Sequence, residues 1–149
     1  MLHKPTLLAF RSAIEAASGV GRGTYVVPDC RCSVGLLGAA LGFDFDTKRD
    51  ADIAELLATD FDLDERTCRY IEACTEAWAP SRYNGMIKFD IPSFKSHEDE
   101  PFDFCAKNSP TAKALRKIRV LRLIDDQLAL CEEHEAIKPA VIVKELVPC

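Results

Sequence analysis

The stretch PDCRCSVGLLGAALG, Pro28 to Gly42, constrains this chain more than any other. From Cys32 to Phe43 it carries no charge over 12 residues, whereas a bilayer-spanning helix takes roughly 20. A short run that is apolar on every side reads as a helix buried inside a protein. Asp29 or Ser33 can cap its start, and the helix is expected to run to about Leu41. Gly35, Gly38, Ala39 and Gly42 keep one face small enough for another backbone to approach. The expectation is a central helix, Ser33–Leu41, with the rest of the chain packed around it.

The flanking sequence supplies the partners. After Pro5, residues Leu7, Leu8, Phe10, Ala13, Ile14 and Ala17 recur at three- and four-residue spacing, which predicts an amphipathic first helix. Asp50 can cap a helix bearing Ile53, Leu56 and Leu57. Asp62 or Asp64 can cap another, bearing Cys68, Ile71, Cys74, Ala77 and Trp78 and stopped by Pro80. Ser109-Pro110 opens the longest helix, with Leu115, Ile118, Leu121, Ile124, Leu128 and Cys131 as its main apolar line. Val120, Leu123 and Leu130 form a second line, and Pro139 is expected to end the helix.

The fold class that follows is mainly α: a small bundle of four or five helices, with room for a short two- or three-stranded sheet. Its strands would come from Thr24–Val27, Met86–Ile91 after the Asn84-Gly85 turn, and Ala140–Val147, which reads equally as a short helix. With 149 residues, a single domain is expected over 1–149. Residues 92–110 lack a clean period and read as a long surface loop within it.

Charge and cysteine content narrow the function classes. A net charge of −5 suits a soluble chain and argues against nucleic acid as partner. No segment is long enough to span a membrane, and Arg11 and Glu15 interrupt the apolar N-terminal run, so a secretory signal is not expected. A cytoplasmic location follows as the expectation. The seven cysteines are then read as reduced thiols, several of them core residues.

Four constellations could carry chemistry. Cys30 and Cys32 are one residue apart, tighter than the usual two-to-four-residue spacing of zinc ligands. His97 and Cys105 could complete a site only by a fold-back of the long loop, so no metal is expected. Cys32 near a helix start could be a reactive thiol, yet His3, His97 and His134 lie far off in sequence. Asp44, Asp46, Lys48, Asp50, Asp52 and Glu55 follow a calcium-loop register, but Lys48 sits at a ligand position and Arg49 replaces the required glycine. The glycines of GVGRG follow a helix rather than a strand, unlike a dinucleotide-binding turn.

The charge order of the long helix is the unusual feature. Lys113, Arg116, Lys117, Arg119 and Arg122 fill its first half, and Asp125, Asp126, Glu132, Glu133 and Glu135 its second. A helix dipole favours the reverse order, by about 0.3–1 kcal/mol per terminal charge. Two antiparallel copies would set basic halves against acidic halves. The acidic segment Asp44–Glu72 of the same chain could also lie against the basic half. These five cations, with Phe94, Phe102 and Phe104 of the acidic loop, are the candidate partner-binding residues, since acidic, Phe-bearing segments dock into grooves on other proteins.

Gly23, Tyr25, Cys32, Gly35 and Gly38-Ala39 carry a resemblance. In these positions the first half of the chain resembles an uncharacterised family of small helical proteins of phages and bacteria. The family's Trp-Asn-Asp-like feature is absent, although EAWAPSRYN occupies a similar place. The resemblance implies a compact helical fold and an accessory or mobile-element origin. The expected function is that of a non-enzymatic interaction protein, an inhibitor or adaptor, acting on a protein partner or as a homodimer. The alternatives are a cysteine-based zinc or redox protein and a nucleic-acid mimic or binder.

Overall fold

The structure, a computed structural model, describes residues 1–23, 26–47, 52–76 and 108–146, with side chains of the last stretch described through 136. Five α-helices form among these residues: α1 (Lys4–Ala16), α2 (Ser33–Leu41), α3 (Ile53–Asp60), α4 (Glu65–Glu76) and α5 (Pro110–Leu146). A single 3₁₀ turn, Pro28–Cys30, leads into α2. The chain is mainly α, and no strand occurs among the described residues.

Each helix begins where its local chemistry allows. Pro5 lies in the first turn of α1, where its missing N–H costs nothing. Asp52, not Asp50, caps α3 by accepting from the Glu55 N–H. Asp64 caps α4 by accepting from the Thr67 N–H at 2.9 Å. The Thr67 hydroxyl in turn accepts from the His3 N–H, and Thr6 Oγ1 accepts from the Asp64 N–H. The starts of α1 and α4 are thus joined through buried hydroxyls that leave few orphan donors. Ser109 caps α5 by accepting from the Ala112 N–H.

Helix α1 is the middle of the bundle. Its Leu7, Phe10 and Ile14 are fully buried, and it packs against α2, α4 and α5. Helix α2 packs on α1, α3 and α4, but it is not enclosed all round as expected, since Ala39 and Ala40 are exposed. Two methyl groups in water cost little, so a helix of Ala and Gly tolerates an open edge. Its small face is used as expected: a Cβ at Gly38 would lie 2.7 Å from the Phe45 ring. Phe45 packs edge-on to Phe43 with ring centres 5.0 Å apart. The helix ends at Gly42, whose φ of +79° suits glycine.

Two sequence expectations change. Helix α5 does not end at Pro139 but continues to Leu146, so 140–146 are helical rather than a strand. A proline removes one hydrogen bond to the carbonyl four residues earlier, and the turns on either side keep theirs, so a long helix can pass through it. Of the other strand segments, Val26 and Val27 are irregular, while Thr24, Tyr25 and Met86–Ile91 lie outside the described residues. The loop expected over 92–110 lies outside them as far as residue 107, and its end, Pro110, already belongs to α5.

Candidate functional site

Helix α5 spans 37 residues, about 55 Å at 1.5 Å per residue. Its inward line is Ala112, Arg116, Val120, Ile124, Leu128 and Cys131, all buried. Leu115 and Ile118, expected in the main apolar line, instead face out, 38% and 52% exposed. The helix is rotated so that Arg116 goes in and they go out. Arg116 is fully buried, and its guanidinium donates to the Val20 carbonyl at 3.2 Å and to Asn108 Oδ1 at 3.3 Å. It therefore cannot serve as a surface contact while the bundle is intact, which corrects its place among the partner-binding candidates.

The remaining cations of the basic half divide into two groups. Lys113 donates to the Asp29 carbonyl at 2.7 Å. Lys117 donates to the carbonyls of Glu15 and Ala17, at the C-terminal end of α1. Both ammonium groups are occupied by backbone. Arg119 is half-buried and Arg122 exposed. Burial, and the neighbouring charge of Arg122, lower the Arg119 pKa.

The acidic half meets the opposite end of α1. Asp125 pairs with Arg11 at 2.7 Å and Glu135 with Lys4 at 3.0 Å. Near the same end, the Cys131 thiol lies 3.5 Å from the Leu2 carbonyl. Helices α1 and α5 are therefore antiparallel. This arrangement explains a charge order that α5's own dipole disfavours. The cation Lys117 lies at the carbonyl end of α1, and the acids lie toward its amino end, where a helix dipole favours them. Internal pairing is present, but it joins the acidic half of α5 to Arg11 and Lys4 of α1, while Lys113 and Lys117 of the basic half donate to backbone carbonyls.

Removing these internal roles leaves an outward strip on α5. Leu115, Ile118, Arg122, Asp126, Leu130 and Glu133 are all exposed, and Leu130 is 51% exposed. Neither Arg122 nor Asp126 makes an ion pair among the described residues. Phe94, Phe102 and Phe104, the other partner-binding candidates, lie outside the described residues.

The metal and thiol candidates are not brought together. Cys32 is buried at the residue before α2, Cys30 is half-buried, and His97 and Cys105 lie outside the described residues. Among the described residues, no three His, Cys, Asp or Glu side chains gather where they could hold a metal ion. Burial, aided by Asp64 and Glu72, pushes the Cys68 thiol up to about 12, and burial also raises Cys74. Thiols held protonated in this way are poor nucleophiles and poor ligands.

Of the calcium-like register, Lys48, Arg49 and Asp50 lie outside the described residues, and Asp44 and Asp52 have local roles. Asp44 accepts from the Asp46 N–H and the Thr47 hydroxyl, forming a turn. Asp52 caps α3 and pairs with Arg69 at 2.6 Å. Burial alone would raise its pKa, but hydrogen bonds from Arg69 and the Glu55 N–H outweigh it and hold the carboxyl below its usual value. Two of the GVGRG glycines are packing residues: Gly19 lies against Lys113 and Gly21 against the backbone of Cys30, whereas nothing lies near the Cβ position of Gly23.

Among the described residues, no helix is long and apolar enough to cross a membrane. No protein-family model matches the chain, and no curated protein or solved structure matches it either.

Proposed function

We propose that this chain is a non-enzymatic protein–protein interaction protein, of the inhibitor or adaptor kind, that binds through the outward face of α5. The observation that carries this reading is the exposure of Leu115, Ile118 and Leu130 on one long helix, interleaved with Arg122 and Asp126. Single exposed apolar residues are ordinary, but three along one rigid element, rimmed by charges, have the composition of a contact surface. An aliphatic centre supplies affinity by shedding water, and flanking charges set orientation. The helix offers the face on a support already fixed by α1 and α4, so little ordering is needed on binding.

A photo-reactive amino acid in place of Ile118, expressed in the native host, tests the reading. A discrete protein adduct is expected, and it should disappear when Leu115→Gln and Leu130→Gln are added. No adduct, or one indifferent to those changes, contradicts the proposal.

A further inference from the structure

We infer that the partner seated on the outward strip of α5 is a second copy of this chain, lying antiparallel with its two-fold axis on the outward side at the level of Ile124. The inference rests on the interaction reading above and names its partner. Leu115 and Glu133 stand five full turns apart, at about 3.6 residues per turn, and so mark one line along the helix. Arg122 and Asp126 lie close to that line, with Ile118 on one shoulder and Leu130 on the other. All six are exposed.

A two-fold axis at that level sets Arg122 of each copy level with Asp126 of the other. The same axis brings Ile118 level with Leu130 of the other copy. One symmetric contact therefore pairs both opposite charges, with the half-exposed Ile118 and Leu130 flanking it on its two edges. A parallel pairing fails this test, because it sets Arg122 on Arg122 and Asp126 on Asp126. The shallow antiparallel crossing needed is a common helix-packing geometry. Asp125 and Glu135 stay with Arg11 and Lys4, so pairing leaves those two ion pairs in place.

The test is a charge swap, read by sedimentation velocity under reducing conditions. Concentrations on the order of 100 µM suit an interface at the small end of the size range. Wild type is expected to dimerise. Arg122→Asp and Asp126→Arg should each be monomeric alone, because each places like charges together twice. Mixed, they should form a heterodimer, because both cross-pairs are again opposite. Thermal melts check that both variants fold. Single variants that still dimerise overturn the inference, as does a monomeric wild type. In the latter case, an adduct from position 118 to a foreign protein leaves the interaction reading standing, whereas no adduct removes both.

Discussion

Gly21→Ala is expected to destabilise this fold by on the order of 4 kcal/mol or more, enough to leave a small domain largely unfolded. A Cβ at Gly21 would fall inside the Cys30 carbonyl group and 2.7 Å from the Cys30 Cα. These are backbone atoms with no rotamer through which to escape. Gly21 also donates its N–H to the Arg31 carbonyl at 2.8 Å, so the two strands of chain cannot separate without losing that bond. The contact closes the loop that delivers residues 28–32 to the start of α2. Gly23→Ala is the control. Nothing lies within 4 Å of its Cβ position, and the only penalty is a φ of +78°, worth about 1 kcal/mol. Urea unfolding followed by circular dichroism should separate the two. Equal midpoints would show that the approach at Gly21 is not as close as described.

Arg116→Ala is expected to cost about 3 kcal/mol. The change empties the space of the largest fully buried side chain among the described residues and strips the Val20 carbonyl of a donor. Arg116→Lys should recover only part of the loss, because one ammonium cannot reproduce the fork of a guanidinium. Arg122→Ala, on the exposed side of the same helix, should stay within about 0.5 kcal/mol of wild type at dilutions where both are monomeric. Chemical denaturation of the three variants orders them. An Arg116→Ala protein as stable as Arg122→Ala would mean that Arg116 does not lie in the core.

The rotation of α5 is where sequence reading and structure part. Leu115 and Ile118 looked inward because leucine and isoleucine usually are, and Arg116 looked outward because charges usually are. Carrying both lines further along the helix gives the other answer. The line through Leu115 and Ile118 soon meets Arg122, Asp125 and Asp126, whereas the line 112, 116, 120, 124, 128 carries a single charge. One buried arginine with carbonyl partners costs less than several buried unpaired charges. What no local pattern could supply was the Val20 carbonyl that receives Arg116, because it comes from a segment 96 residues away.

Helix starts were legible for a related reason. Capping is a local hydrogen bond, so Asp64 and Ser109 could be read from the chain. The choice of Asp52 over Asp50 turned on one residue in an acid-rich run, where either carboxylate could accept. The reversed charge order of α5 was visible as an anomaly, but its explanation was not. That explanation depends on α1 lying antiparallel against α5, a tertiary fact. The outward strip appears only after those internal partners are subtracted.

The account stands on that strip being a binding face and not part of the core. The most direct measurement compares wild type with Ile118→Glu by sedimentation velocity, with thermal melts of the same proteins diluted until both are monomeric. The account predicts a dimeric wild type, a monomeric variant and indistinguishable melting temperatures, because Ile118 is 52% exposed. A variant that sediments like wild type, or one that melts well below it, would contradict the account.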